Sequence, residues 1–182
     1  MNKTIYLLPG RGGRLTKGLG AELLARRYRV VGRELHGDFQ RLPFASQVDC
    51  VADDLMSQFW HQDAMVVANS FGAFLFLQAQ AQLSAFPGRV LLLSPIIGET
   101  MNEEQMIFFV PPRARQLHEL IFSGVYPTPV SCEIHVGEDD WQSNPPNVRA
   151  IGHALNIPVT IVPNVGHRLE PICVNSILDA WL

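Results

Sequence analysis

Ala64-Met65-Val66-Val67-Ala68-Asn69-Ser70-Phe71-Gly72 is the stretch on which the reading turns. Five apolar residues in a row suit a strand buried on both faces, as in parallel sheets. The residues from 71 to about 85 then have the length of a helix. Between the two, Ala68-x-Ser70-x-Gly72 sets a small residue on each side of a serine. A chain that reverses sharply from strand to helix brings the two backbones close together, and a large side chain at either flanking position would collide. Ser70 is then held in a strained backbone conformation with its hydroxyl exposed. The helix behind it aims free N–H groups and the positive end of its dipole at that hydroxyl. Small-x-Ser-x-Gly is common by chance, so its weight depends on what surrounds it.

The surroundings repeat the same rhythm. Short apolar runs stand at Ile5–Leu8, Arg29–Gly32, Ala64–Ala68, Val90–Leu93, Glu133–Val136 and Val159–Val162. Helix candidates lie between them at about 16–27, 46–60, 71–85, 145–155 and 171–182. In the stretch 46–60, Val48, Val51, Leu55 and Phe59 share one side, while Asp49, Asp53 and Asp54 take another. Pro145 and Pro171 suit the first turn of a helix. Strands alternating with helices predict an α/β fold, a three-layer αβα sandwich around a mainly parallel six-stranded sheet. One interval breaks the pattern. From Ile96 to Pro129 no strand is expected, and Arg113–Phe122 is amphipathic. An excursion of that length is either a crossover helix packed on the sheet or a lid. Its Met106–Val110 run either lines an acyl pocket or packs as ordinary core.

In an open α/β sheet, ligands bind beyond the carboxyl ends of the strands. The polar residues at those ends are therefore the site candidates. They are Gly10-Arg11-Gly12-Gly13 after the first strand, Ser70 after the third, Asp139-Asp140 after the fifth and Gly166-His167 after the sixth. A serine hydroxyl needs a base within hydrogen-bond reach, and the base needs an orienting partner. His167 is the base and Asp140 the orienting acid, with Asp139 the competing position and Glu99 a more distant one. An oxyanion needs two fixed donors. The backbone N–H groups of Phe71 and Arg11 are assigned that role, with Gly12 behind Arg11. Asp140 also suits a turn, and the Arg11 side chain either faces solvent or pairs with a substrate carboxylate.

These residues resemble the α/β-hydrolase superfamily, over most of the chain. The similarity is greatest to small serine hydrolases of the retinoblastoma-binding-protein type, which lack the first two strands and carry little cap. The resemblance implies a catalytic triad of Ser70, Asp140 and His167, and an oxyanion loop from Pro9 to Gly13. Two departures stand out: Ala68 replaces the more usual glycine of the elbow, and Pro9 stands where many members have histidine. The expectation is a serine hydrolase acting on a small-molecule acyl substrate, an ester, thioester or amide, foremost as a small carboxylesterase. An idle binding module or an acyltransferase is the alternative.

Composition narrows the field. The chain has 182 residues, 47% of them hydrophobic and 17% charged, which suits one globular domain over 1–182. A net charge of -3, with 12 Arg and 2 Lys scattered along the chain, predicts no nucleic-acid partner. The glycine turn at 10–13 lacks the Lys-Ser/Thr of a P-loop. Cys50, Cys132 and Cys173 are odd in number and widely spaced, which predicts buried thiols in a reducing compartment rather than a disulfide framework or a metal site. No secretory or membrane segment is expected, and with it a cytoplasmic location. Scattered histidines without ligand spacing predict no metal, and no cofactor is expected.

Overall fold

All six apolar runs become strands of one sheet. In this computed structural model, which describes residues 3–102, 104 and 106–182, they are β1 (Thr4–Leu8), β2 (Arg29–Gly32), β3 (Met65–Asn69), β4 (Arg89–Leu93), β7 (Ser131–Gly137) and β8 (Val159–Val162). Every neighbouring pair is parallel, and the order is β2-β1-β3-β4-β7-β8. The chain runs outward from β1 to β2, returns past β1 to β3, and then continues outward. The reversal opens a crevice at the carboxyl ends of β1 and β3. Ser70 immediately follows β3.

The strands alternate cleanly between two cores. Tyr6, Leu8, Val66, Ala68, Val90, Leu92, Ile134 and Val136 pack against α3 (Phe44–Asp54), α4 (Phe71–Gln80), α5 (Ala114–Phe122) and α6 (Pro145–Leu155). Ile5, Leu7, Met65, Val67, Leu91 and Leu93 face the other way, toward α1 (Leu19–Ala25) and α7 (Pro171–Trp181). All ten residues of α4 are buried, because it lies between the sheet and α3. That explains its lack of a polar face. Gly72 is the condition for this burial. A Cβ there would stand 2.2 Å from the Leu8 carbonyl oxygen and 2.4 Å from that of Pro9.

Several boundaries differ from the sequence reading. The helix expected at 16–27 is limited to α1, and the one at 71–85 ends at Gln80 before a turn. The amphipathic stretch 46–60 starts at Phe44 and widens at its end into a π-turn, Leu55–Phe59, which keeps Leu55 and Phe59 buried. Asp54 is not on a solvated face. It accepts from the Tyr6 hydroxyl at 2.6 Å and takes Arg33 in a fork at 2.6 and 2.7 Å, tying α3 to β1 and to the residue after β2. A short helix, α2 (Gly37–Arg41), was not anticipated.

The largest correction falls on the excursion between β4 and β7. It contains two strands, β5 (Thr100–Asn102) and β6 (Ile107–Phe109), paired antiparallel outside the main sheet. Three-residue strands are too short for alternation to be legible. The amphipathic stretch that follows is α5, as its spacing requires, with Leu117 and Ile121 buried.

Candidate active site

Ser70 has φ 55° and ψ -122°, a conformation a non-glycine residue adopts only under constraint. The constraint is visible on both sides. Its N–H donates to the Leu93 carbonyl at 2.9 Å, and its own carbonyl accepts from the first turn of α4. The turn after β1 closes over it. A Cβ on Gly10 would lie 3.2 Å from the Ser70 Cβ and 3.5 Å from its Oγ.

The loops after β7 and β8 lie on one another because Gly137 has no side chain. A Cβ there would meet the carbonyl oxygens of Val165 and Gly166 at 2.2 and 2.4 Å. Backbone bonds fasten the pair: Glu138 N–H donates to Val162 and Asp139 N–H to Val165. This brings His167 between the serine and the acid. Ser70 Oγ is 2.8 Å from His167 Nε2, and His167 Nδ1 is 2.9 and 3.0 Å from the two Asp140 oxygens. An ionised carboxylate only accepts. Nδ1 therefore carries the ring proton and donates it to Asp140, which leaves Nε2 to accept from the Ser70 hydroxyl.

Asp140 is completely buried. Burial pushes its carboxyl up, but the hydrogen bond and charge of His167, with Ser143, outweigh that and hold it below its ordinary value. The N–H groups of Gln142 and Ser143 both donate to Oδ1 at 3.0 Å. Ser143 Oγ also lies 3.4 Å from His167 Nδ1. The sequence reading missed Ser143. The only signal for it was its place three residues after an Asp, where side-chain-to-backbone turns form. Asp139 and Glu99, the other candidate acids, are exposed and make no hydrogen bond to His167.

Phe71 opens α4, so its N–H lies in the unpaired first turn. Among the described residues the N–H groups of Phe71 and Arg11 donate to no protein acceptor, whereas Gly12 N–H is spent on the Leu35 carbonyl at 2.8 Å. That leaves Arg11, and not Gly12, beside Phe71 as a free donor. A cleft of about 410 Å³ opens over these groups. Ile107 and Phe109 from β6 line it, with Ile96, Trp141, Gln142 and Arg168. Met106 and Phe108 point away and are 92% and 65% exposed. The Met106–Val110 run thus contributes Ile107 and Phe109 to the cleft, with Phe109 also packed against the main core, while Met106, Phe108 and Val110 are exposed.

His36 pairs with Glu34 at 2.6 Å, and His135 with Glu133 at 3.1 Å, both outside the cleft. Among the described residues no group of three His, Cys, Asp or Glu side chains is placed to hold a metal ion. The three cysteines are free and partly buried. No described helix is long and apolar enough to cross a membrane.

No family profile and no curated protein matches this sequence. Solved structures do match. The ydeN gene product from B. subtilis is similar with a TM-score of 0.66 at 16% identity, covering 99% of this chain and 98% of that one. Alpha/beta hydrolase domain-containing protein 10 from mouse gives 0.69 at 12% identity, over 97% and 87%. Carboxylesterase CesB (YbfK) from Bacillus subtilis gives 0.59 at 14% identity, over 99% and 83%. The chain has the α/β-hydrolase fold.

Proposed function

We propose that the protein is a serine hydrolase that cleaves an ester, thioester or amide, foremost a small carboxylic ester, through Ser70, His167 and Asp140. The observation that carries this reading is the unbroken hydrogen-bonded line from Ser70 Oγ through both nitrogens of His167 to Asp140. The hydrolase and esterase names borne by proteins of like fold agree with it.

The chemistry follows from the positions. His167 Nε2 removes the Ser70 proton as Oγ bonds to the substrate carbonyl carbon, and the carbonyl electron pair moves onto oxygen. The Phe71 and Arg11 amides receive that oxyanion; one such donor typically lowers the barrier by about 3–4 kcal/mol. The imidazolium, stabilised by Asp140, then protonates the departing alcohol, thiol or amine and leaves an acyl-Ser70. A water, deprotonated by the same Nε2, attacks the acyl carbon. Collapse releases the acid and returns the proton to Ser70.

A fluorophosphonate probe tests this. The folded protein is expected to be labelled on Ser70, with labelling lost in Ser70→Ala and retained in Asp139→Asn. Absence of labelling in the folded wild type contradicts the reading and favours an idle fold used for binding.

A further inference from the structure

We propose that the cleft selects acyl substrates carrying a carboxylate a few bonds from the scissile carbonyl, with the Arg11 guanidinium as its receiver. This rests on the Ser70 reading above and names the substrate class of that site.

Four arginines have obvious protein partners: Arg26 with Glu22 and Asp179, Arg33 with Asp54, Arg41 with Asp38, and Arg89 with the Trp181 carbonyl. Arg11 is held differently. Its Cζ lies 4.2 Å from the centre of the Phe71 ring and 4.8 Å from that of Phe109. Arg11 is exposed, and its guanidinium rests against two aromatic rings without donating to an acceptor among the described residues. Its in-plane N–H donors, the set that matches a carboxylate as a fork, are unspent. A guanidinium with a planar donor fork resting on ring faces gives up less freedom per hydrogen bond than a mobile ammonium would.

The surroundings agree. None of the residues lining the cleft is acidic, and a second arginine, Arg168, lines it beside His167. Arg168 is exposed and forms no ion pair among the described residues. The rest of the wall includes Ile96, Ile107 and Trp141, apolar surface suited to a short hydrocarbon spacer. One end of the cleft's contents reacts at Ser70; an anionic end would find Arg11.

The experiment compares mono-p-nitrophenyl succinate, glutarate and adipate with their methyl-capped counterparts, which differ chiefly in charge. Rates are corrected for spontaneous hydrolysis. For at least one spacer, kcat/KM is expected to favour the free carboxylate by roughly 10-fold or more. Arg11→Met is expected to remove most of that preference, Arg11→Lys to keep part of it, and added salt to weaken it. A wild-type ratio near one overturns the carboxylate site while leaving Ser70 chemistry intact. A ratio unchanged in Arg11→Met overturns it too, since aid to the oxyanion alone affects both esters equally. If no ester turns over, fluorophosphonate labelling of Ser70 decides the hydrolase reading separately, and binding decides the inference. Ser70→Ala protein titrated with monomethyl and dimethyl glutarate is expected to bind the half-ester more tightly, and to lose that difference when Arg11→Met is added. Equal affinities overturn it.

Discussion

The rim of the main sheet and the hairpin that stands over it are built on different principles. At the rim, each site residue follows a strand locked in register, and the backbones approach so closely that side chains are excluded. Gly72 against Leu8 and Gly137 against Val165 and Gly166 are the clearest cases. The hairpin of β5 and β6 has three residues per strand, pairs only with itself, and exposes Met101, Met106 and Phe108. Position at the rim is thus dictated by backbone packing, whereas the hairpin supplies side chains to the cleft from an element with few buried anchors. Stability and precise geometry belong to the first region, and shape of the opening to the second.

The contrast can be tested in order of expected effect. His167→Ala removes the proposed base and is expected to lower kcat on an activated ester by about 10⁶-fold, with the circular dichroism spectrum unchanged. Asp140→Asn is expected to cost about 10⁴-fold, because it no longer holds Nδ1 protonated, while the exposed Asp139→Asn stays near wild type. Gly137→Ala drives a methyl into the Val165 carbonyl and separates the two loops. A loss of about 10²-fold in kcat, with about 1–3 kcal/mol of stability by urea unfolding, is expected. Phe108→Ser on the hairpin is expected to change stability by less than about 0.5 kcal/mol. A hairpin change as damaging as Gly137→Ala would erase the distinction between the regions.

Acid sharpens the same comparison. Asp140 is held below its ordinary value in the folded chain. Its contribution to stability is therefore complete above the unfolded carboxyl value, about pH 4, and is lost as pH falls through the lower folded value. The difference in unfolding free energy between wild type and Asp140→Asn is expected to be constant near neutrality and to close below about pH 4.

The two regions also differ in how far the sequence revealed them. All six main strands and the helices from α3 to α7 are legible from apolar runs and helical spacing. So is the placement of Ser70, Asp140 and His167 at strand ends, because strand order in an α/β sheet sends those ends to one edge. The choice of Asp140 over Asp139 depends on which side chain turns inward, a matter of one residue in a loop that spacing does not resolve. The hairpin was missed because three-residue strands carry too little pattern. The π-turn after α3 was missed because Leu55 and Phe59 keep helical spacing through it. The Arg11 placement needed Phe109, which the unread hairpin delivers across 98 positions of sequence.

The most direct test of the whole scheme is a rapid-mixing reaction with p-nitrophenyl acetate, followed by acid quench and peptide mass mapping. A burst of p-nitrophenolate close to one equivalent of enzyme, where deacylation is the slower step, or an acetyl group found on the Ser70 peptide, is the expected result. Release of p-nitrophenolate without acylation of Ser70, unchanged in Ser70→Ala, would contradict it.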